Sequence, residues 1–220
     1  RYQMPVVVLS DQHLADSYQT VAPFNVSVVE IDRGDVVSAR ESSSDYLRYQ
    51  YTDSGISPRL YPGNGEGLVV SAGDEHDEQG HLIEDIDTRV KMMEKRMRKM
   101  DAVKSQALSP VCYGDQEPEL VLVGFGSSKG AVVEAVKLLQ ENGHKAMAVH
   151  LPQVFPLPEQ LREIWSGPGQ KIIVENNYTG QLQKLLQMEL GLIADGYVRR
   201  YDGRPFDAAY IYERVIGGVR

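Results

Sequence analysis

The sequence predicts an α/β protein built on an open parallel sheet with helices on both faces. From residue 110 onward, short apolar runs alternate with amphipathic segments. The apolar runs are ELVLVGFG, KAMAVHL and QKIIVEN, and the amphipathic segments are KGAVVEAVKLLQENG, PEQLREIWSG and TGQLQKLLQMELGL. Apolar runs of that length suit buried strands, and a helix after each strand suits parallel pairing with both sheet faces covered.

The first twenty residues contain an apolar run, MPVVVL, that has the pattern of a buried strand. The run ends at Ser10 and Asp11 and is followed by polar turn residues. A lone strand cannot bury both of its faces, whereas parallel strands are normally buried on both. We therefore expect residues 1–20 to be the last piece of a domain that lies upstream in a longer polypeptide.

Residues 21–109 have the pattern of an irregular linker that contains one long helix. Two β-like runs, VSVVEI and LRYQYT, precede the turn-rich stretch DSGISPRLYPGNGEG. Residues 87–107 lack Gly and Pro and are rich in Met, Lys, Arg and Glu, which favours a helix. The apolar residues of this helix recur every three or four positions and predict a stripe that packs on another element. The stripe consists of Val90, Met93, Met97 and Met100.

The composition indicates a globular protein and argues against two classes of partner. A chain of 220 residues that is 42% hydrophobic can bury the core of one large or two small domains. A net charge of −8 disfavours nucleic-acid binding, so we interpret the basic side chains between Arg89 and Lys104 as a solvated helix face. No apolar run approaches the length of roughly 18 residues that spans a membrane. We expect a cytoplasmic protein.

The single cysteine limits the chemistry that the chain can support alone. Cys112 has no second cysteine with which to form an internal disulfide. One thiolate is also too few to hold a structural zinc ion or an iron–sulfur cluster. Any cluster chemistry is therefore expected to reside on a partner.

The segment VGFGSSKGAVVEA has glycines where a strand meets a helix. Gly124, Gly126 and Gly130 precede free helix N–H groups that could meet an anion. The spacing fits neither the dinucleotide fingerprint, whose third glycine comes one residue earlier, nor the Walker loop. A tight turn with Ser127 or Ser128 capping the helix, a phosphate or carboxylate contact that includes Lys129, and a dinucleotide site remain as alternatives.

A dense group of potential ligands and proton carriers lies in VSAGDEHDEQGHLIEDIDTRV. Zinc on a helix requires two histidines on one face, and the spacing of five between His76 and His81, with Gly80 between them, suits this poorly. Glu75, His76 or Asp77 could act in acid/base chemistry, because crowded carboxylates raise one another's pKa. A solvated surface loop would have the same composition.

The segment VENNYTGQLQKLL places polar residues at the end of a strand, where open parallel sheets present functional groups. Thr179 is a plausible helix N-cap. A turn that fixes the start of the helix, a subunit contact and a site lining are the alternatives for Asn177 and Tyr178.

Several of these segments together resemble a known family. MPVVVLSDQHLADS, GISPRLYPG, GDEHDEQGH, TRVKMMEKRMRKM, VGFGSSKGAVVEA, VENNYTGQLQKLL and YDGRPF follow the order found in the C-terminal part of the α subunit of 2-oxoacid:ferredoxin oxidoreductases, most similar to the 2-oxoglutarate type. The resemblance implies three regions. Residues 1–20 would end a thiamine-pyrimidine domain, residues 21–109 would form a linker with active-site-mouth loops and the basic Met-rich helix, and residues 110–220 would form a transketolase C-terminal-like domain.

The resemblance also implies an activity and a set of partners. The enzyme decarboxylates a 2-oxoacid on thiamine diphosphate with Mg, passes electrons through [4Fe–4S] clusters to ferredoxin, and forms acyl-CoA, with a β subunit as partner. The family's Tyr-Pro-Ile-Thr-Pro and Gly-Asp-Gly motifs and the cluster cysteines are not in this sequence. We expect the chain to bind none of these cofactors wholly and to be inactive alone.

The resemblance places candidate site residues at the active-site mouth, where CoA approaches. Arg59 is expected to meet an anion, because a guanidinium binds carboxylate or phosphate through paired donors. Glu75, His76 and Asp77 would line the entrance. Two alternatives differ in class: a non-catalytic nucleotide- or anion-binding module, and a subunit-interaction domain.

Overall fold

The computed structural model describes residues 1–218. The described chain divides into two compact units. The first unit consists of Arg1–Val6 and Thr20–Ser105, and the second consists of Val7–Gln19 and the chain from Gln106 onward. The predicted domain of residues 110–220 includes residues 219 and 220, which lie outside the described residues.

The second unit is organised around a five-stranded sheet in the order β1-β3-β2-β4-β5. β2 pairs in parallel with β3 and β4, β4 pairs in parallel with β5, and β1 pairs antiparallel with β3 at one edge. The strands are β1 Val111–Gly114, β2 Leu120–Phe125, β3 Ala146–Leu151, β4 Gln170–Glu175 and β5 Gly196–Arg199. The helices of this unit are α1 Gln12–Ala15, α3 Lys129–Glu141, α4 Gln160–Ser166, α5 Gln181–Leu190 and α6 Ala208–Ile216.

Helices cover both faces of this sheet because the side chains of each strand alternate between them. In β2, Leu122 belongs to the hydrophobic cluster that includes α3 and α6. Its neighbours Val121 and Val123 belong to the cluster that includes α4 and α5. Fully burying each such side chain contributes about 1.5–3 kcal/mol. The predicted fold class, an open and largely parallel α/β sheet, is confirmed.

Three elements of the second unit were not predicted from the sequence patterns. β1 and β5 are four-residue edge strands with polar or exposed positions, so neither has the apolar run of a buried strand. α6 follows the loop YDGRPF and begins at the N-cap Asp207, whose carboxylate accepts a hydrogen bond from the Tyr210 amide at 2.8 Å.

The β-like runs of residues 1–52 do not form strands, so those predictions are wrong. Val6 and Val8 are 87% and 89% exposed, and the residues of MPVVVL pair with no other strand among residues 1–218. VSVVEI contains a 3₁₀ turn at Val26–Val28. In LRYQYT the backbone amides of Tyr49 and Tyr51 donate instead to Glu78. An apolar run becomes a strand only where a second strand accepts its hydrogen bonds.

The first unit contains the long helix α2, Ile86–Ser105, which confirms the predicted helix. The face that is buried is not the predicted stripe. Met92 and Lys95 are buried, whereas Val90, Met93 and Met97 are exposed. Gly55 fits closely against the buried face, because a Cβ at Gly55 would lie 2.2 Å from the Lys95 carbonyl oxygen. No helix within residues 1–218 combines the length and the apolar character needed to cross a membrane.

Candidate functional site

The acidic segment of the first unit folds as a short hairpin. His76 and Leu82 form an antiparallel bridge, and Asp77 N–H donates to the His81 carbonyl at 3.0 Å. The turn is closed by one Asp77 carboxylate oxygen, which accepts from the amides of Gln79, Gly80 and His81 at 2.9 Å each. Burial raises the pKa of Asp77, but these hydrogen bonds outweigh it and lower the pKa overall.

Glu75 fastens this hairpin to α2. Its carboxylate forms ion pairs with Arg89 and Arg96. The hydrogen bond from Arg96 is the largest cause that lowers the pKa of Glu75 to about 2; burial opposes the shift, and Arg89 adds to it. Glu75 therefore stays ionised at neutral pH and does not exchange protons there. A proton-transfer role for Glu75 is not supported by this arrangement.

His76 is buried against an aromatic ring. Its imidazole stacks on Tyr49 with ring centroids 3.6 Å apart, and Nδ1 lies 2.9 Å from the Asp77 carbonyl oxygen. A carbonyl oxygen only accepts, so Nδ1 is the donor. Within residues 1–218, no group of three or more His, Cys, Asp and Glu side chains could hold a metal ion. The hairpin is thus an ordered element whose charged groups are largely occupied by internal contacts.

The basic side chains between Arg89 and Lys104 do not all lie on a solvated face, so that interpretation is wrong for Lys95. Lys95 is 3% exposed, and burial, followed by the charges of Lys99, Arg48 and Arg96, lowers its pKa to about 8. Arg48 donates to the Gln3 side-chain oxygen at 3.0 Å. Met92, Lys95 and Lys99 are three and four positions apart, a spacing that places them on one helix face. Because lysine and arginine are usually exposed, this spacing suggested a solvated face rather than a buried one.

One hydrogen-bond donor of the Arg59 guanidinium is unpaired. Its guanidinium donates through Nη2 to the Arg33 carbonyl at 3.1 Å and to the Tyr61 hydroxyl at 3.3 Å. Its Nε is buried and has no hydrogen-bond partner among the described atoms. Within residues 1–218, Arg59 forms no ion pair and no hydrogen bond with Glu75, His76 or Asp77. Because the buried Nε is closed to solvent, an external anion would have to approach through the other N–H groups of the guanidinium.

The glycine-rich segment of the second unit forms a tight strand-to-helix turn. Gly126 has φ +59°, and a Cβ at Gly124 would lie 2.8 Å from Ser128 Oγ. The Ser128 hydroxyl donates to the Phe125 carbonyl at 2.7 Å, and the Ser127 hydroxyl donates to the Asp11 carboxylate. Neither serine side chain caps α3, so the predicted capping is wrong. Both hydroxyls donate to carbonyl or carboxylate oxygens, and neither accepts from a helix amide.

Lys129 begins α3 beside the edge strand. Its ammonium lies 5.5 Å from the centre of the Tyr113 ring. Nδ1 of His150 is buried without a hydrogen-bond partner in the described structure, and burial, then the charge of Lys129, lowers the pKa of His150.

The polar residues after β4 cap helix α5. The buried Glu175 carboxylate accepts from Asn177 Nδ2 at 2.7 Å and from the Leu182 amide at 2.8 Å. Asn177 Oδ1 in turn accepts from the Gly180 amide at 2.7 Å. Thr179 is therefore not the cap, contrary to the prediction. Gly180, which directly precedes the helix, has φ +68°. This left-handed conformation favours glycine over residues with a side chain.

Tyr178 lies near an open cleft at this edge of the sheet. Its exposed ring meets that of Tyr201 edge to face, with centroids 4.9 Å apart. The cleft has a volume of about 600 Å³. Its lining is Asp11, Gln12, His13, Asp16, Ser17, Ser127, Asn176, Arg200, Tyr201, Gly203, Arg204 and Pro205. Ser127 lines it, and so does Asn176 of the segment VENNYTGQLQKLL, for which site lining was a predicted alternative. The arginines of VRRYDGRPF were a signal that the sequence analysis did not use.

The fold and its polar edge define an α/β protein of the open, largely parallel class, in which ligands bind beyond the carboxyl ends of the strands. No protein-family profile matches the chain. It is 32% identical over 211 residues to the α subunit of 2-oxoacid:ferredoxin oxidoreductase from Saccharolobus solfataricus, covering 93% of this chain and 33% of that protein. It is 34% identical over 224 residues to the α subunit of 2-oxoacid:ferredoxin oxidoreductase 2 from Aeropyrum pernix, covering 98% and 34%.

A solved structure agrees with these relatives. The chain matches the 2-oxoglutarate:ferredoxin oxidoreductase of Magnetococcus marinus, solved with 2-oxoglutarate, coenzyme A and succinyl-CoA bound, with a TM-score of 0.86 and 28% identity. The match covers 99% of this chain and 38% of that one. The chain spans about one third of the length of the curated relatives. The predicted resemblance is confirmed: this chain is related to the α subunits of 2-oxoacid:ferredoxin oxidoreductases.

Proposed function

We propose that this chain is part of the α subunit of a 2-oxoacid:ferredoxin oxidoreductase that acts on 2-oxoglutarate. The reaction would convert the 2-oxoacid and CoA to acyl-CoA and CO2, with the two released electrons reducing ferredoxin. The observation that carries this proposal is the similarity over 99% of the chain to a solved enzyme that binds 2-oxoglutarate, coenzyme A and succinyl-CoA. Because ferredoxin and CoA would both be supplied in the cytoplasm, we place the complex there.

The proposed enzyme needs cofactors that the residues of this chain do not fit. A [4Fe–4S] cluster requires several thiolates, and Cys112 is the chain's single cysteine, with a pKa raised by burial. The described residues also offer no group of three or more His, Cys, Asp and Glu side chains for a metal ion such as the Mg of thiamine diphosphate. We therefore assign thiamine diphosphate, Mg and the clusters to the rest of the complex, including a β subunit.

The three proposed regions follow from the same family. Residues 110–220 would be the transketolase C-terminal-like domain, and the sheet of β1–β5 between residues 111 and 199 supports an α/β domain there. Residues 21–109 would be the linker with loops at the active-site mouth, and residues 1–20 would end the thiamine-pyrimidine domain.

The contribution that we propose for this chain is anion binding and positioning at the entrance. Arg59 supports the first role, because its guanidinium forms no ion pair with a described residue and bonds only to neutral oxygen atoms. Glu75, His76 and Asp77 support the second, because their contacts hold the hairpin in one conformation. Ser127, Ser128, Lys129, Asn177 and Tyr178 stay candidates for an anion or subunit contact.

Reconstitution tests the proposed function directly. The complete α subunit that contains this chain would be co-expressed with its β subunit, and reduction of ferredoxin would be followed after addition of 2-oxoglutarate and CoA. We expect reduction that requires both substrates. A purified complex that holds iron and thiamine yet does not reduce ferredoxin with 2-oxoglutarate and CoA would contradict the proposal.

One observation favours a second function, that of an anion-binding module. The cleft of about 600 Å³ contains the side chains of Arg200 and Arg204. Arg200 is already paired with Asp202 and Asp207, which lowers the positive charge available to a ligand. Calorimetric titration of the chain with nucleoside triphosphates and with inorganic phosphate separates the two functions, because a module of this kind would release or absorb heat without any β subunit.

A further inference from the structure

The exposed face of α2 has the spacing of a coiled-coil seam. Successive seam residues are four, three, four, three and four positions apart, which is the heptad spacing of a and d positions. The seam consists of Ile86, Val90, Met93, Met97, Met100 and Lys104. Ile86 is 77%, Val90 50% and Met97 57% exposed, so most of the stripe is open to solvent in the described structure, and Met100 is half-buried.

The opposite face of α2 accounts for the packing of the helix in its own unit. Met92 and Lys95 are buried there, and Gly55 lies against the helix backbone. The seam is therefore not needed to hold α2 in place. A shallow depression of about 410 Å³ runs along the C-terminal half of α2, lined by Glu94, Met97, Arg98, Met100, Asp101 and Lys104. An apolar stripe with this spacing and a shallow depression is suited to the side chains of a second helix.

Charges along the seam indicate the chemistry of that helix. The e positions on one flank are Asp87, Glu94 and Asp101, which are all exposed. None of these three carboxylates forms an ion pair with another described residue. In coiled coils the e and g side chains pair with the charges of the facing helix and set partner choice. A facing helix with lysine or arginine on this flank would satisfy all three carboxylates.

A second copy of this chain fits less well. In an antiparallel pair the e positions face one another, so three carboxylates would meet three carboxylates. In a parallel pair the e positions face the g positions, which are Arg89, Arg96 and Val103. Both arginines are already paired with Glu75 in the hairpin. Self-association would therefore either place like charges together or compete with the contacts that hold the hairpin.

We propose that the seam of α2 docks a basic amphipathic helix of another polypeptide in a coiled-coil arrangement. The apolar a and d side chains of the partner would fill the seam around Met93 and Met97. Its basic flank would lie along Asp87, Glu94 and Asp101. This docking surface is independent of the reaction proposed above, because it would exist whether or not the complex oxidises a 2-oxoacid.

Two synthetic three-heptad peptides test the proposal. Both carry leucine at a and d and glutamine at e; at g, which faces Asp87, Glu94 and Asp101 in a parallel pair, one has lysine and the other glutamate. Fluorescence anisotropy with the full chain should show the lysine peptide binding about tenfold or more tightly than the glutamate peptide. Replacing Asp87, Glu94 and Asp101 by Asn, Gln and Asn should remove that preference. Equal binding of the two peptides, or binding of neither, would overturn the proposal.

Variants of the seam provide the control. Met97→Gln should lower the affinity for the lysine peptide about tenfold. Lys91→Gln, on the same helix but outside the seam, should leave this affinity unchanged. Both side chains are exposed, and thermal unfolding should confirm that neither variant disturbs the fold. Sedimentation of the chain alone gives a separate result. A dimer that Met97→Gln dissociates would assign the seam to a second copy and overturn the assignment to a basic partner.

Discussion

Arg96 donates a hydrogen bond to each carboxylate oxygen of Glu75 and so ties the hairpin of residues 74–83 to α2. Arg89 adds a second ion pair to the same carboxylate. The hairpin is itself closed by its backbone, because Ile83 N–H donates to the Glu75 carbonyl at 3.1 Å. A segment whose composition suggests a metal site or a solvated loop is instead fixed by one carboxylate between two guanidinium groups.

Glu75→Gln should destabilise the chain. The substitution keeps the shape of the side chain but leaves Arg89 and Arg96 without their counterion, at a cost of about 1–3 kcal/mol. The pKa of Glu75 is lowered to about 2, so its stabilisation is present above the unfolded value near 4.5 and is lost as pH falls toward 2. Urea unfolding between pH 2 and pH 7 measures this difference. The exposed Glu84→Gln is the control, and equal losses in both variants would contradict the role of Glu75.

Lys95→Met should stabilise the chain at neutral pH. Burial lowers the pKa of Lys95 to about 8, so protonation costs free energy in the folded state. The unfolded chain keeps its proton up to about pH 10.5, and the stability of the natural sequence should therefore rise between pH 8 and pH 10.5. In Lys95→Met this rise, on the order of 3 kcal/mol, should be absent. Urea unfolding midpoints across that pH range provide the measurement, and the exposed Lys91→Met is the control. The same pH dependence of stability in both variants would contradict the account.

Asn177→Ala should cost about 1 kcal/mol, the usual loss for a helix cap. Its side-chain oxygen accepts from the Gly180 amide, and its amide donates to the buried Glu175 carboxylate. Thr179→Ala should cost less than about 0.5 kcal/mol, because Thr179 does not cap the helix. Thermal unfolding distinguishes the two variants. A larger loss for Thr179→Ala than for Asn177→Ala would restore Thr179 as the cap.

The sequence predicted the parts of the fold that depend on long apolar patterns. β2, β3 and β4 are buried on both faces, so each leaves a continuous apolar run. β1 and β5 are edge strands of four residues and leave no such run. The run MPVVVL shows the converse, because its composition suits a strand but no described strand accepts its hydrogen bonds. Local pattern determines propensity, whereas pairing depends on residues that are distant in the chain.

The candidate site was less predictable for the same reason. Glu75 contacts Arg89 and Arg96, which are 14 and 21 positions away, so no local spacing reveals that its charge is neutralised. The stripe of α2 was identified correctly as apolar, but it is not the face that is buried. The opposite face is buried because Gly55 has no Cβ and can lie close to the helix backbone. Arg59 was singled out as an anion ligand through a family resemblance, and the structure adds only that its Nε is free.

Arg59→Ala should impair the proposed enzyme at its entrance. Loss of the guanidinium should raise the KM for 2-oxoglutarate or for CoA about tenfold, since a charged hydrogen bond contributes about 1.5–3 kcal/mol. The exposed Arg40→Ala, in the same unit, should leave both KM values unchanged. Steady-state kinetics of the reconstituted complex provide the measurement. Unchanged kcat and KM values for Arg59→Ala would remove this residue from the site.

The most direct measurement of the central claim is the release of labelled CO2 from 2-oxoglutarate labelled at its first carbon. The complex that contains this chain should release CO2 and form succinyl-CoA in equal amounts, and only when both CoA and oxidised ferredoxin are present. Release of CO2 that is independent of CoA and ferredoxin, or no release by a complex that carries its thiamine and iron, would contradict the assignment.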